Sequence, residues 1–290
     1  HEQEKLGPST QALVNEAMSR KIPCKCYPNS SLVTLGYGRQ QKRIWAAVSS
    51  NTNAISMDIA SDKQLTKQIL TNHYIPTPQG EMIESVEEIE NIIAQLGYPL
   101  AIKPVDGNHG RGVTTNINDF SKVLFGFKLA KKVSNQIVVE RYITGDDYRF
   151  LVVNYKVVAV ARRTPALVIG DGHSSIETLI NLVNADPERG ESHEKFLTTI
   201  KIDAATLSIL QKKQLTLQSV LEAGHVLYLK ETANLSSGGT ATDVTDEVHP
   251  QNIFYAERAA RVLGLDICGI DVVSSNIQFP LNDNHGAIIE

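Results

Sequence analysis

Apolar residues recur along this chain with two different periods, and the alternation between them sets out the fold. In SVEEIENIIAQLG (85–97), Ile89, Ile92, Ile93 and Leu96 keep the three-and-four spacing of one helix face; Ser85 and Glu88 have the spacing of a capping box, and Gly97 followed by Pro99 marks the stop. DKQLTKQILTNH (62–73) places Leu65, Ile69 and Leu70 on one face behind Asp62 as N-cap, which puts Lys63 in the first turn. STQALVNEAMSR (9–20) and PQNIFYAERAARVLG (250–264) are further helices, the second with Pro250 in its first turn and Gly264 after its end. Strand patterns occupy SLVTLGYG (31–38), PLAIKPV (99–105), VTTNI (113–117) and QIVVERYI (136–143). RFLVVNYKVVAVARR (149–163) turns near Asn154 into a β-hairpin, and DICGIDVVSS with GAIIE forms a closing strand pair. From about 164 to 224 the pattern loosens into loops such as GDGHSS and NADPERGESH around short helical pieces such as IETLINLV. Helices alternating with antiparallel strands predict an α+β fold.

The strand PLAIKPV carries a single lysine and opens into DGNHGRG. An ammonium in an apolar strand needs an anion, because an unpaired charge in a low-dielectric site is costly. A nearby carboxylate is the plain solution for Lys103; the adjoining glycine loop points instead to phosphate. Neither G-x-x-x-x-G-K-[ST] nor G-x-G-x-x-G is present, and β-branched VTTNI favours a strand rather than a helix after the loop. The arrangement is therefore strand, loop, strand: a flap whose backbone N–H groups at Gly107, Gly110 and Gly112 can close on phosphate oxygens.

VVERYITGDDY (138–148) ends a strand in Glu140, Tyr142 and Ile143 before a turn and Asp147. Such a strand end can offer donors and acceptors to an adenine edge and a carboxylate to ribose, or it is an edge strand with solvated acids. Asp271 and Glu290 lie on consecutive strand segments; if these pair, the two carboxylates suit Mg²⁺ bound together with nucleotide phosphates, the alternative being two acids at a sheet rim.

Composition narrows the partners. The chain has 290 residues, 42% of them hydrophobic, enough for one large domain or two to three lobes. Net charge is −4 and the 28 basic residues are scattered, so no nucleic-acid stripe or polybasic membrane patch stands out and small-molecule or peptide partners are favoured. No apolar run approaches membrane-spanning length, HEQEKLGPST lacks the apolar centre of a signal peptide, and Cys24, Cys26 and Cys268 match no zinc or redox spacing, so a cytoplasmic protein with reduced thiols is expected. There is no initiator Met, and the chain stops on apolar GAIIE, which reads as the edge of a longer protein.

Several stretches together resemble the ATP-grasp ligases, and among them the cyanophycin synthetase type. They are LGYGRQQKRIWA, SDKQLTKQIL, YPLAIKPVDGNHGRGV, VVERYITGDDYRFLVV, VIGDGHSSIETLINLVNADPERG, LKETANLSSGGTATDVTDEVHP and GLDICGIDVV, which cover nearly the whole chain. The resemblance implies an ATP-grasp fold with core and lid lobes of mixed and antiparallel sheet and an inserted extra lobe. An N-terminal segment (1–61) would lead into the core, 62–146 would hold the nucleotide-binding lid and glycine-rich loop, and 147–290 would form the core, with the extra lobe at about 164–224 and a truncated end.

By position, the resemblance assigns phosphate contacts to Lys63 and Lys103 and the flap to Gly107, Gly110 and Gly112. Adenine goes to Glu140, Tyr142 and Ile143, ribose to Asp147, and Mg²⁺ to Asp271 and Glu290. His109, Arg149, Arg162, Arg163, Lys230 and the loop from Asn234 become γ-phosphate or peptide contacts. The implied reaction is phosphorylation of the C-terminal carboxylate of a cyanophycin-like peptide primer by ATP, then attack by aspartate on the acyl phosphate. Partners are thus ATP, aspartate and primer, without nucleic acid or membrane; a homo-oligomer is compatible.

Two departures stand out: Asp58 replaces a usual Glu, and the chain ends before an asparagine that serves as a third metal ligand. Because the chain ends before that ligand, weak or no turnover is expected of the 290-residue piece alone; a second ligase domain, which adds arginine in that family, is also not represented. The alternatives are the ATP-grasp half of a bifunctional glutathione synthetase, a D-alanine–D-alanine ligase-like enzyme, and a non-catalytic nucleotide-binding lobe.

Overall fold

Asp62 does what its position predicts. Its Oδ1 accepts hydrogen bonds from the backbone N–H groups of Gln64 and Leu65, both at 3.0 Å, and the helix Lys63–Asn72 follows. The capping box also forms: Glu88 Oε1 accepts from the backbone N–H of Ser85 at 3.0 Å, a short 3₁₀ turn covers Val86–Glu88, and the helix Ile89–Leu96 runs to Gly97. Pro250 opens the helix Pro250–Leu263, and Gly264, in the left-handed region at φ +71°, closes it. The structure is a computed structural model that describes residues 6–46, 48–105, 112–191, 195–282 and 286–290. The chain divides into two units, residues 1–53, 158–245 and 266–268 in the first and residues 54–157, 246–265 and 269–290 in the second.

The second unit contains a four-stranded antiparallel sheet in the order Gly80–Ile83, Ile137–Arg141, Leu100–Pro104, Thr114–Ile117. Alternation along these strands sorts the side chains. Leu100, Ile102, Ile137 and Val139 join Ile83, Ile89, Ile92, Val123 and Phe127 in one apolar cluster under the helices Ile89–Leu96 and Phe120–Lys131. Ala101 and Lys103 take the opposite face, and because Ala101 pairs with Glu140, Glu140 is the diagonal neighbour of Lys103 on that face. Elsewhere in the unit, the closing strands pair as expected: Ile267–Ser274 runs antiparallel to Gly286–Ile288, with Val272 opposite Ile288. Buried Asn252 secures the turn between them, its Nδ2 donating to the Ile277 and Phe279 carbonyls and its Oδ1 accepting from Leu281 N–H.

The first unit starts with the helix Pro8–Ser19 and a four-stranded antiparallel meander, Cys24–Cys26, Leu32–Leu35, Lys42–Trp45 and Val48–Ser49. Buried Asp266 is held there by three neutral donors, Ser49 Oγ and Thr52 Oγ1 at 2.6 Å and Asn51 Nδ2 at 3.2 Å. Burial pushes this carboxyl up, yet the donors outweigh burial and the net shift is downward.

The stretch 164–224, a loose pattern in the sequence, packs around a core of its own. Ala166, Val168, Ile176, Leu179, Ile180, Ile200, Leu210, Leu221, Leu227 and Leu229 are buried together, with helices at Ile176–Asn184 and Ala204–Lys212. The looseness arose because its strands are only three residues long, Leu167–Ile169 against Val226–Tyr228, too short for alternation to register. The helices Ala54–Ser61 and Phe120–Lys131 also escaped the periodicity. The second of these, FSKVLFGFKLAK, has no clean polar face, and Gly126 brings it within 3.2 Å of Thr114 Cβ measured from where a Cβ would sit.

Asp203 caps the helix Ala204–Lys212 and accepts a 2.6 Å hydrogen bond from Lys230 Nζ. The Lys230 ammonium, followed by the Thr206 N–H, lowers its carboxyl from 3.8 to about 2. A carboxyl depressed on folding stabilises above its unfolded value and loses that contribution as pH falls through the folded one. Asp203→Asn, which keeps a capping residue, should therefore melt below the parent chain at neutral pH. The gap should close between about pH 4 and pH 2 in thermal unfolding followed by circular dichroism.

Candidate functional site

Lys103 finds its anion on the neighbouring strand. Its Nζ lies 2.7 Å from Glu140 Oε1, while Lys67 Nζ, from the helix Lys63–Asn72, lies 2.9 Å from Glu140 Oε2. The Glu140 side chain is only 10% exposed and that of Lys67 19%, so this is one carboxylate shared between two ammonium groups in a largely dry place. One turn before Lys67 on the same helix, Lys63 Nζ lies 3.0 Å from Glu290 Oε1, out in solvent. These residues line a single cleft within the second unit, together with Ala60, Thr77, Pro78, Ile288 and Ile289. Three lysines against two glutamates leave one cation in excess, a setting suited to an anionic ligand.

Backbone packing fixes where Glu140 sits. Gly80 pairs with it across the strands, and a Cβ at position 80 would run into Glu140 Cβ and lie 2.5 Å from the Val139 carbonyl oxygen. Only a residue without a side chain lets the two strands approach there. Beyond Glu140, the backbone N–H of Arg141 donates to the Gln79 carbonyl and that of Tyr142 to the Pro99 carbonyl, both at 2.8 Å. Those two donors are therefore engaged within the sheet. Ile143 and Asp147 follow, both half-buried.

The pair expected to hold metal is brought together at the level of the backbone. Asp271 N–H donates to the Glu290 carbonyl and Ile289 N–H to the Asp271 carbonyl, each at 2.8 Å. Each carboxylate has a cationic neighbour: Arg149 Nη1 is 2.5 Å from Asp271 Oδ1, and Lys63 is on Glu290. Gly269 makes room for Arg149, since a Cβ there would lie 2.6 Å from its Nε. Among the described residues no group of three His, Cys, Asp or Glu side chains gathers into a metal cage. One carboxylate on a strand and one just beyond the end of its partner strand make a donor count that a divalent cation accepts only together with phosphates and water.

Other expected residues lie in the first unit. Arg162 and Arg163 follow one another on the strand Lys156–Thr164, opposite Thr242 and Ala241, so their side chains leave on opposite faces. Lys230 is 7% exposed on Asp203. Asn234 precedes the turn Leu235–Ser237, its carbonyl accepting from Ser237 Oγ at 2.9 Å. The end of that loop is held by buried Arg189, whose Nη1 donates to the Gly238 and Thr198 carbonyls at 3.0 and 2.7 Å. Of the flap, Gly112 is described, with φ +74°; Gly107, His109 and Gly110 lie outside the described residues.

Sequence reasoning missed Lys67, Gly80 and Arg189. Lys67 carried only a weak signal: an i,i+4 repeat of lysine with Lys63 costs a few tenths of a kcal/mol at most and does not by itself require an acid. Gly80 and Arg189 carry no local signal, because their roles are set by chain segments far away in sequence.

Comparison with known proteins is consistent with this geometry. Residues 60–169, which include the Lys63 helix, the Lys103 strand and Glu140, match the RimK-like ATP-grasp domain. Cyanophycin synthetase from Crocosphaera subtropica is 48% identical over 98% of this chain, and the glutathione biosynthesis bifunctional protein from Clostridium perfringens is 30% identical over 99% of it. The chain spans 33% and 38% of their respective lengths. A crystal structure of a bifunctional glutathione synthetase from Pasteurella multocida superposes with a TM-score of 0.78 at 27% identity, covering 99% of this chain and 40% of that one.

Gly80→Ala should push the Glu140 strand away from its neighbour. The expected cost is about 1–3 kcal/mol of stability in urea unfolding, as for other overpacked sites. Gly80→Ala with unchanged stability would mean that the two strands are not held this close.

With Lys63, Lys67, Lys103 and Glu140 on one cleft, residues 60–169 give the chain a RimK-like ATP-grasp domain.

Proposed function

We propose that this chain is the nucleotide-binding ligase module of a cyanophycin-type synthetase, joining aspartate to the C-terminal carboxylate of a poly-aspartate primer at the expense of ATP. The observation that carries the reading is the excess of cations on the Lys63, Lys67 and Lys103 cleft, next to the Asp271 and Glu290 strands. A carboxylate is a poor acyl donor. A primer carboxylate oxygen would attack the γ-phosphorus with departure of ADP, giving an acyl phosphate; the aspartate amine would then attack the acyl carbon, phosphate would leave, and the amine would lose its proton.

Lys63 and Lys103 offset repulsion between two anionic reactants and hold them in line. Asp271 and Glu290 would hold Mg²⁺, which supplies charge neutralisation on the phosphate oxygens. For that to occur, Arg149 and Lys63 must give up their present carboxylate partners, and both are exposed enough to turn toward phosphate instead. Arg162, Arg163, Lys230 and the Asn234 loop are assigned to the peptide or the transferred phosphate, His109 with Gly107, Gly110 and Gly112 to the flap over the phosphates, and Tyr142, Ile143 and Asp147 to the nucleoside. Support for aspartate rather than another acceptor comes from the relatives named above, one called cyanophycin synthetase at 48% identity against one called glutathione biosynthesis protein at 30%.

A full-length protein containing this chain should release ADP from ATP only when both aspartate and a cyanophycin primer are present. Release with γ-glutamylcysteine and glycine, or with D-alanine, in place of that pair would assign the site to the other ligase chemistries.

A further inference from the structure

Glu140 is the most committed side chain in the cleft, and Lys67 is the partner that the reaction as drawn does not use. The Glu140 carboxylate is nearly buried, with Lys103 on Oε1 and Lys67 on Oε2. If a phosphate takes the Lys103 ammonium, a carboxylate with that single partner would be left ionised and unpaired in a dry site, at a cost that would hold Lys103 back or expel the acid. A second ammonium on the other oxygen removes that penalty. Each carboxylate oxygen accepts more than one hydrogen bond, so Glu140 on Lys67 still has lone pairs for a donor on the ligand.

We propose that Lys67 is a positioning residue: it holds Glu140 fixed and ionised when Lys103 transfers to phosphate, and thereby makes Glu140 the acceptor that selects a purine bearing an amino group. The inference deepens the nucleotide reading given above and rests on it. Two features of the chain argue that the contact is built rather than incidental. Lys67 is largely withdrawn from solvent, at 19% exposure, where an ammonium needs an anion, and Glu140 Oε2 supplies it at 2.9 Å. Gly80 brings the Glu140 strand close to its neighbour, which fixes the carboxylate from the other side.

The test is an equilibrium titration of the whole chain with ATP, with inosine triphosphate, which has a carbonyl in place of the purine amino group, and with inorganic tripolyphosphate. Parent chain, Lys67→Met, Lys67→Arg and Glu140→Gln are compared, with melting temperatures recorded in parallel. Lys67→Met keeps Lys103 on Glu140 and should remain folded. It should lose the preference for ATP over inosine triphosphate by about tenfold, as Glu140→Gln does, and because Lys103 is then held on Glu140, tripolyphosphate should weaken as well. Lys67→Arg should restore the preference. An unchanged preference for ATP over inosine triphosphate in Lys67→Met, whether or not all three ligands weaken together, would overturn the inference. A parent chain that binds none of the three would instead remove the nucleotide reading, and this inference with it.

Discussion

A single buried carboxylate organises the second unit around its cleft. Glu140 stands on the face of its sheet away from the apolar cluster, and its two oxygens are taken by ammonium groups from two different elements, the strand Leu100–Pro104 and the helix Lys63–Asn72. Removing one partner from a buried pair typically costs about 3–5 kcal/mol, because the remaining charge is left uncompensated. Sharing the carboxylate spreads that risk. Either lysine can be lost to a ligand while the other still satisfies the acid, so a site that is stable when empty can also release a cation when filled.

That arrangement follows from sheet geometry. The register that opposes Ala101 and Glu140 puts Lys103 diagonal to the acid, and the period of two that buries Leu100 and Ile102 forces Lys103 to the other side. A one-residue slip would bury the lysine among isoleucines and expose the core. The hydrophobic cluster and the charged cleft are thus two faces of one pairing, and the same residues that stabilise the unit fix the chemistry it displays.

Much of this was legible in the chain. The helix from Lys63, its Asp62 cap, the Ser85 box, the Lys103 strand and the closing pair of Asp271 and Glu290 strands all carried local signals, because caps, stops and periodicity act within a few residues. The region 164–224 was not legible as a packed body: its strands of three residues are too short for alternation to register, and the apolar faces of its two nine-residue helices meet only through the fold. The site divided in the same way. A lone strand lysine announced the need for an anion, yet whether that anion was a carboxylate or a phosphate could not be decided from the strand itself, since Glu140 lies thirty-seven positions further on. Gly80 and Lys67 complete the answer from two other segments, and only the fold brings them to the same carboxylate.

The most direct test is a crystal structure of the chain with a non-hydrolysable ATP analogue and Mg²⁺. The account predicts the phosphates in the cleft lined by Lys63, Lys67 and Lys103, with the Lys103 ammonium moved from Glu140 to a phosphate oxygen while Lys67 stays within hydrogen-bonding distance of Glu140. A nucleotide bound elsewhere, with Glu140 still held by both lysines, would contradict it.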